Sequence, residues 1–345
     1  MTAGLGTRMK SALPKHLHPI LGRRIVDWVL ATAHELELAS LVVVASPSTE
    51  DLFPGLEVVV QERPLGTGDA VRSARERLEG RVDEILVLSG DTPLLTSALL
   101  KQLIDTHRQD QAAATVLSFR PADVRSYGRV LRDENGRVRA IVEARDASPE
   151  ELAEREVNSS IYVFAAEKLW PALERLEPAN AQGELYLTDA ICILVADGEL
   201  TSAHVAGDPI ETEGINTRLE MASAAAVLRD RINRAHMLAG VTIVDPSSTW
   251  IEPTVELEPD STVHPFCVLR GHTRVRGGAE VGPQVVAIDA EIGEGVTVGP
   301  FCYLRPGTVL EKGAKLGTFV EIKNSQVGAE TQVPLSPAEQ GGLCS

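Results

Sequence analysis

The chain has 345 residues with a formal net charge of −16, and 43% of its residues are hydrophobic but only 4% aromatic. This length predicts about two domains with aliphatic cores, and the acidic balance argues against nucleic acid and membrane surfaces as partners. No apolar run approaches the roughly twenty residues of a membrane span. The scattered cysteines indicate neither a disulfide framework nor a zinc site, so we expect a cytoplasmic protein.

A glycine-rich segment lies almost at the first residue. It reads Gly4-Leu5-Gly6-Thr7-Arg8-Met9, and Pro14-Lys15 follows shortly after. Glycine residues let backbone N–H groups surround a phosphate. The Arg8 guanidinium can donate two parallel hydrogen bonds to phosphate oxygens, and the Lys15 ammonium supplies a compact positive charge. The segment therefore predicts a phosphate-binding loop.

Short apolar strands alternate with helical segments as far as about residue 215. Strands are predicted at 41–44, 58–60, 85–88 and 114–117, and helices at 68–78, 97–107 and 219–238. This alternation predicts an α/β fold with a mostly parallel sheet that is covered on both faces and binds ligands beyond the carboxyl ends of its strands. A hairpin that turns at Asn135-Gly136 is expected within residues 129–144.

After Val241, apolar residues recur at every sixth position. They are Leu257, Val263, Leu269, Val275 and Val281, and then Ile292, Val298, Leu304, Leu310, Leu316 and Ile322. A six-residue period predicts a left-handed parallel β-helix, in which each hexapeptide forms one side of a triangular coil and its apolar residue points inward. About four coils are expected before the pattern ends near Val333.

Further motifs follow the glycine-rich segment in a fixed order. They are Gln61 with 65–68, then 89–94, 127–129, 141–143, 157–159, 180–184 with 186–189, and 213–216. With the hexapeptide repeats, they make residues 1 to about 333 resemble the bacterial bifunctional N-acetylglucosamine-1-phosphate uridyltransferase/glucosamine-1-phosphate acetyltransferase family. The resemblance implies a Rossmann-like nucleotidyltransferase domain over 1–216, a linker helix over 217–240, a truncated β-helix over 241–333 and an aberrant tail over 334–345.

Asp91 follows the strand predicted at 85–88 and is the best carboxylate for holding a metal ion. Uridylyl transfer needs a divalent cation to neutralise the triphosphate while a sugar-phosphate oxygen attacks the α-phosphorus, and Mg²⁺ prefers oxygen ligands. The resemblance adds the side-chain carbonyl of Asn216 as a second ligand, although Asn216 is also a candidate N-cap for the helix that follows. No protein nucleophile is expected, because the substrate phosphate attacks by itself.

The resemblance also assigns the substrate pockets. Gln61 can offer an amide donor and a carbonyl acceptor to a uracil edge, and Gly66-Thr67 would let the backbone approach the base. Gly128, Glu143 and Asn158 would bind the sugar. The full set of expected contacts comprises Arg8, Lys15 and Asp91 as catalytic residues and Gly4, Gln61, Gly66, Thr67, Gly90, Gly128, Glu143, Asn158, Thr188 and Asn216 as substrate-binding residues.

The second activity of the family is expected to be lost. In the family a histidine on the β-helix acts as base for acetyl transfer from acetyl-CoA to glucosamine-1-phosphate. Arg305 and Lys323 match its sugar-phosphate clamp, but Leu335 stands where the histidine is expected. The resemblance implies a homotrimer through the β-helix, weakened by truncation.

The expected reaction is Mg²⁺-dependent transfer of UMP from UTP to N-acetylglucosamine-1-phosphate, with release of pyrophosphate, for cell-wall precursor synthesis. Two alternatives stay open, namely a pyrophosphorylase for another sugar-1-phosphate and a non-catalytic remnant. The remnant is considered for two reasons. A strand is expected before the glycine-rich segment, where only Met1-Thr2-Ala3 precedes Gly4, and the tail after Val333 does not continue the hexapeptide pattern. We favour a misplaced start or a truncated gene.

Overall fold

The computed structural model describes residues 1, 7–124 and 126–334. Internal contacts divide the chain into two units, one of Met1–His18 with Arg23–Met221 and the other of Pro19–Gly22 with the residues from Ala222 onward. The predicted border after residue 216 lies close to this division. The predicted tail over 334–345 falls almost wholly outside the described residues.

The helices begin and end where local side chains satisfy their backbone groups. They are α1 (Ile25–His34), α2 (Thr67–Ser73), α3 (Arg75–Leu78), α4 (Ser97–Asp110), α5 (Pro149–Leu152), α6 (Ala166–Glu174), α7 (Leu187–Ala196) and α8 (Arg218–Leu238). Thr96 starts α4, because its hydroxyl oxygen accepts the Leu99 N–H at 3.2 Å. The helices predicted over 97–107 and 219–238 are confirmed, and the one over 68–78 divides at Ala74 into α2 and α3.

Ten strands precede α8 in the part of the chain that the structure describes. They are β1 (Pro19–Ile20), β2 (Arg23–Arg24), β3 (Val42–Ala45), β4 (Glu57–Val60), β5 (Glu84–Val87), β6 (Ala114–Phe119), β7 (Arg129–Arg132), β8 (Val138–Val142), β9 (Val157–Ala165) and β10 (Thr201–Val205). The four predicted strands correspond to β3, β4, β5 and β6. The predicted hairpin is confirmed, because β7 and β8 pair antiparallel on either side of Asn135-Gly136.

The larger sheet is mixed, so the expectation of a mostly parallel sheet is wrong. Its strand order is β10-β6-β9-β7-β8, and β5 also pairs with β9. The long strand β9 runs antiparallel to β5, β6 and β7, whereas β10 runs parallel to β6. Both faces are covered as predicted, because every residue of β6 is buried. The apolar runs correctly indicated burial but carried no information on strand direction.

The second unit is a parallel β-helix of two- and three-residue strands. They are β11 (Thr242–Ile243), β12 (Trp250–Ile251), β13 (Glu256–Leu257), β14 (Thr262–Val263), β15 (Val268–Arg270), β16 (Arg274–Val275), β17 (Glu280–Val281), β18 (Val286–Ile288), β19 (Glu291–Ile292), β20 (Thr297–Val298), β21 (Tyr303–Leu304), β22 (Val309–Leu310), β23 (Lys315–Leu316), β24 (Glu321–Ile322), β25 (Gln326–Val327) and β26 (Gln332–Val333). Each strand pairs with the strand three places later in the chain, which lies in the next coil. The strands therefore form three sheets, of six, five and five strands.

The hexapeptide positions fill the interior of the β-helix. Every predicted inward residue belongs to one apolar core, in which Leu257 and Ile322 are partly buried and the others are buried. The first coil lies within the predicted range of 241–333 but was not counted from the period, since Ile243 and Ile251, which are buried in this core, do not lie six residues apart. The described residues thus contain one more coil than the period indicated.

The described cysteines are free thiols, as the sequence predicted. Cys267 and Cys302 point inward in the β-helix and donate to the carbonyls of Gly282 and Gly317 at 2.9 and 3.1 Å, and Cys192 is half-buried. Cys344 lies outside the described residues. Among the described helices, none combines the length and apolarity that a membrane span requires.

A cavity of about 860 Å³ separates β3 from β5 in the first unit. Among the described strands, β3 pairs with β4 and β5 pairs with β9, so each has an edge toward this cavity. Met1 lies at its border, where its amino group donates to the Leu88 carbonyl at 2.9 Å and its carbonyl accepts the Gly90 N–H at 3.0 Å. This is the hydrogen-bond pattern of a parallel strand pair. The cavity therefore has the backbone groups that a further parallel strand would need, and aliphatic side chains of β3 and β5 line part of it beside charged residues.

A short apolar extension joined to Met1 should fill this cavity and stabilise the protein. About five residues at about 3.3 Å each would span the length of β5, and each buried aliphatic side chain contributes about 1.5–3 kcal/mol. We expect a valine- and isoleucine-rich extension to raise the urea midpoint. In a matched extension, two residues are replaced by proline, which cannot donate to a strand ladder. Equal midpoints for the two extended proteins would show that no strand forms there.

Candidate active site

Asp91 lies in the loop that follows β5, and two side chains hold its carboxylate. Ser89 Oγ donates to Asp91 Oδ1 at 2.7 Å, and Lys15 Nζ donates to Asp91 Oδ2. The Ile215 N–H donates to the backbone carbonyl of Asp91 at 2.9 Å, which connects this loop to the segment before α8. The sequence analysis did not select Ser89 for the site, although it lies in the same motif as Asp91.

Asn216 is brought to the same place from the far end of the unit. Its side-chain carbonyl Oδ1 accepts a hydrogen bond from Lys15 Nζ at 3.0 Å. One ammonium group therefore bridges the two oxygens that were predicted to bind metal. The side chains of Lys15 and Asp91 are only 15% and 21% exposed, so the cluster is poorly hydrated.

A neighbouring residue caps α8, which leaves the side chain of Asn216 available. The helix begins at Arg218, and Thr217 Oγ1 accepts the Glu220 N–H at 3.2 Å. Glu220 Oε2 in turn accepts the N–H groups of Asn216 and Thr217 at 2.7 and 2.9 Å. This is a capping box centred on Thr217. The sequence prediction of Asn216 as the N-cap is therefore wrong.

The environment keeps the Asp91 carboxylate ionised. Burial acts to raise the pKa of Asp91, but the Lys15 ammonium and the Ser89 hydroxyl outweigh it, so the pKa lies below its ordinary value. An ionised carboxylate beside a cation is the state that can exchange one cation for another.

The predicted phosphate-binding residues are only partly described. Gly4 lies outside the described residues. Arg8 belongs to a single 3-10 turn, Thr7–Met9, where its side chain is exposed and makes no hydrogen bond or ion pair with any residue that the structure describes. The Gly90 N–H, a predicted substrate contact, is already bonded to Met1.

Gln61 is buried, and its amide group is held in one orientation. Its Nε2 donates to the Gly66 carbonyl at 3.1 Å and to Asp69 Oδ2 at 2.8 Å. Both partners are acceptors, so the amide nitrogen must face them and the side-chain carbonyl is left for a ligand. Asp69, which the sequence analysis missed, is itself fixed by Arg72 at 2.6 Å.

Gly66 and Thr67 serve the packing of the chain. A side chain at Gly66 would place its Cβ 2.4 Å from the Leu185 carbonyl oxygen, and the φ of Gly66 is +124°. Thr67 Oγ1 accepts the Leu187 N–H at 2.9 Å, and the Gly68 N–H donates to the Leu185 carbonyl at 2.8 Å. These contacts explain the glycine motif without a bound base. The predicted contact of Gly66-Thr67 with a base stays a prediction.

The predicted sugar-binding residues gather around Glu143, which follows β8. Thr188 Oγ1 lies 3.5 Å from Glu143 Oε1. A Cβ built on Gly128 would lie 3.4 Å from both carboxylate oxygens of Glu143, so the absence of a side chain at Gly128 keeps space open beside them. Burial and the nearby carboxylates of Asp146 and Asp189 raise the pKa of Glu143.

A bulge in β9 aims the side chain of Asn158. Ser118 pairs with Asn158 whereas Leu117 pairs with Ile161, so two residues of β9 are left over. Ser160 has a φ of +63°, and its N–H donates to Asn158 Oδ1 at 2.9 Å. Asn158 Nδ2 donates to the Tyr162 hydroxyl at 2.7 Å.

Tyr162, which is bonded to Asn158, also lies within electrostatic reach of Glu143. Burial raises the pKa of the Tyr162 phenol, and the negative charge of Glu143 adds to this effect. The phenol therefore stays protonated. The sequence analysis did not find Tyr162, because a buried aromatic residue within a strand resembles an ordinary core residue. The backbone also joins the cluster, since the Asn158 N–H donates to the Gly128 carbonyl at 2.8 Å.

In the second unit, Arg305 and Lys323 lie at equivalent positions of adjacent coils. Tyr303 is opposite Glu321 and Leu304 is opposite Ile322, and the Arg305 N–H donates to the Ile322 carbonyl at 2.8 Å. Paired strands are about 4.8 Å apart, so the two residues are neighbours as the clamp prediction requires. Arg305 is paired with Glu321 at 3.0 Å, and Lys323 is exposed. Leu335 lies outside the described residues.

Comparison with known proteins identifies both units. Residues 1–190 match the MobA-like NTP transferase domain, and residues 289–324 match the bacterial transferase hexapeptide of six repeats. The first unit is therefore a nucleotidyltransferase domain, and the second is a hexapeptide β-helix.

Similar proteins named bifunctional protein GlmU extend this relationship over most of the chain. The Streptomyces avermitilis protein is 46% identical over 304 residues, which cover 86% of this chain and 63% of that protein. The Trichlorobacter lovleyi protein is 44% identical over 302 residues, which cover 86% of this chain and 66% of that protein. The Streptomyces griseus subsp. griseus protein is 44% identical over 359 residues, which cover 97% of this chain and 74% of that protein. This chain thus spans less than two thirds of the length of the first two relatives.

The order of the two units and the identity to these relatives lead to the same assignment, and the chain belongs to the GlmU family.

Proposed function

We propose that this chain transfers UMP from UTP to N-acetylglucosamine-1-phosphate and releases pyrophosphate, with Mg²⁺ as its cofactor. The observation that supports this best is the convergence of Asp91 and Asn216 on one cation position at the edge of a nucleotidyltransferase domain. The identity to proteins named bifunctional protein GlmU supports the choice of substrates.

The residues around Lys15 fit a magnesium ion. Asp91 and Asn216 offer a carboxylate and an amide oxygen, and the ammonium of Lys15 already stands between them as a cation. Mg²⁺ commonly takes one or two protein carboxylates and completes its shell with water and phosphate. This agrees with the described residues, which hold no cluster of three or more His, Cys, Asp or Glu suited to a metal. Mg²⁺ bound by Asp91 and Asn216 would neutralise charge on the triphosphate.

The reaction needs no nucleophile from the protein. An oxygen of the sugar phosphate attacks the α-phosphorus of UTP, the bond from that phosphorus to the bridging oxygen breaks, and pyrophosphate leaves with the electron pair. Arg8 and Lys15 would stabilise the charge that develops on the phosphate oxygens. Among the described residues, the exposed guanidinium of Arg8 has no hydrogen-bond or ion-pair partner. Phosphate could therefore bind Arg8 without displacing such a partner.

Gln61 would recognise the base through its side-chain carbonyl. Its amide nitrogen already donates to Gly66 and Asp69, so the side-chain carbonyl oxygen is the group left to contact the base. This oxygen can only accept a hydrogen bond, so it needs a donor on the base. Uracil carries such a donor at N3, whereas the N3 of cytosine is an acceptor. Asp69 would thus act as a positioning residue that favours UTP over CTP.

The sugar would lie beside Glu143 and Asn158. Glu143 is half-buried next to the space left by Gly128, so its oxygens are suited to accept hydrogen bonds from sugar hydroxyls. Asn158 and Thr188 would add polar contacts to the hydroxyls and the N-acetyl group.

We further propose that acetyl transfer is absent, because Leu335 stands where the family places its catalytic histidine. Arg305 and Lys323 would still be able to hold a phosphate.

Hexapeptide repeats support an oligomer, and we propose a homotrimer formed through the β-helix in the cytoplasm.

Replacing Asp91 tests the proposed function. Asp91→Asn should lower kcat for pyrophosphate release from UTP and N-acetylglucosamine-1-phosphate by about a hundredfold or more, a barrier change of about 2.7 kcal/mol. The matched variant, Asp51→Asn, changes an exposed aspartate and should keep full activity. The circular dichroism spectrum should be the same for both variants.

Three results would contradict the proposal. If Asp91→Asn keeps more than a tenth of kcat, Asp91 does not hold the metal. If glucose-1-phosphate reacts faster than N-acetylglucosamine-1-phosphate, the chain is a pyrophosphorylase for another sugar. If the unmodified protein releases no pyrophosphate at all, the non-catalytic alternative is favoured.

Replacing Glu143 tests the sugar pocket. Glu143→Gln keeps the shape but removes the charge, and should raise the KM for N-acetylglucosamine-1-phosphate about tenfold. The KM for UTP should stay within about twofold of the unmodified value, because Glu143 lies with Gly128 and Thr188 and not with Gln61. The exposed Glu150→Gln serves as control. Equal losses for both substrates would mean that Glu143 belongs to a different pocket.

A further inference from the structure

The Lys15 ammonium takes the place that the proposed function gives to the metal ion. It donates to Asp91 Oδ2 and to Asn216 Oδ1, which is 3.0 Å away. The remaining carboxylate oxygen, Asp91 Oδ1, is engaged by the Ser89 hydroxyl at 2.7 Å. A metal ion that binds the two predicted ligands must therefore displace the Lys15 ammonium from both oxygens.

Charge opposes the presence of both cations at once. Lys15 and Asp91 are 15% and 21% exposed, so little water lies between an ammonium and a divalent ion at this position. In such surroundings like charges repel far more than in bulk water. The carboxylate of Asp91 and the neutral amide of Asn216 supply one negative charge, which the ammonium already balances.

We propose that Lys15 is an internal competitor of the metal ion. In the absence of nucleotide, its ammonium occupies the cation position and thereby lowers the affinity of the site for a free divalent cation. When a metal–triphosphate complex arrives, the phosphates offer the ammonium a new partner, so that Lys15 leaves Asp91 and Asn216 and the metal takes its place. The metal is thereby admitted together with the nucleotide. This inference rests on the proposed function of the site.

The local fold lets Lys15 make this exchange. Lys15 is the first residue of a single 3-10 turn, Lys15–Leu17, which follows Pro14. His16 and Leu17 anchor this turn because both are buried. The backbone is therefore fixed, while the flexible stem of the lysine can move its ammonium between neighbouring acceptors.

The test measures binding of Mn²⁺ to the purified protein without nucleotide, by electron paramagnetic resonance of the free ion. Lys15→Met removes the ammonium and should raise the affinity for Mn²⁺ at least tenfold. Lys15→Gln keeps a hydrogen-bond donor for Asp91 and should also raise it, and serves as the second variant if Lys15→Met does not fold. The matched control is Lys10→Met, which removes an exposed charge nearby and should change the affinity less than twofold.

Addition of UTP completes the test. In the unmodified protein UTP should raise the affinity for Mn²⁺ strongly, whereas in Lys15→Met the gain should be at least tenfold smaller. Unchanged or weaker Mn²⁺ binding by both Lys15 variants would overturn the inference, as would an equal gain in affinity for Lys10→Met. Mn²⁺ binding that survives Asp91→Asn would instead contradict the metal site of the proposed function, so the two failures are distinguishable.

Discussion

The first unit depends on one electrostatic constraint, a cation held between Asp91 and Asn216. Without a positive charge, the half-buried carboxylate of Asp91 would lack compensation, and burial alone acts to raise its pKa. Lys15 supplies that charge, and in doing so it connects the segment after the glycine-rich motif, the loop after β5 and the residues before α8. The same constraint underlies the metal site that we propose, because a place that needs a cation can also receive a divalent one.

Most of the architecture could be predicted from the sequence because burial leaves a periodic signature. The inward residues of the β-helix follow a six-residue period, which only a coil of three equal sides explains. The first coil lies within the predicted range but was left out of the coil count, because Ile243 and Ile251 break that period. The mixed sheet was missed for another reason, since the apolar residues of β9 are the same whether its neighbours run parallel or antiparallel to it.

The site was predicted less completely, and the gaps have physical causes. Asp91 could be inferred from its position after an apolar strand, but its partnership with Asn216 came from family resemblance, because no local pattern connects residues so far apart in the chain. Asp69 and Tyr162 accept hydrogen bonds from the side chains of Gln61 and Asn158, and neither belongs to a motif of its own. The glycine at position 66 was explained by a base contact, whereas a close approach to the Leu185 carbonyl already requires it.

Asp91 and Asn216 form a cation site in which, as proposed above, Lys15 and the metal alternate. The most direct measurement is anomalous diffraction from crystals of the protein grown with Mn²⁺ and UTP. We expect an anomalous peak at about 2.1 Å from Asp91 Oδ2 and Asn216 Oδ1, with Lys15 Nζ moved onto a phosphate oxygen. An anomalous peak at other residues, or Lys15 still bridging Asp91 and Asn216 in the nucleotide complex, would contradict it.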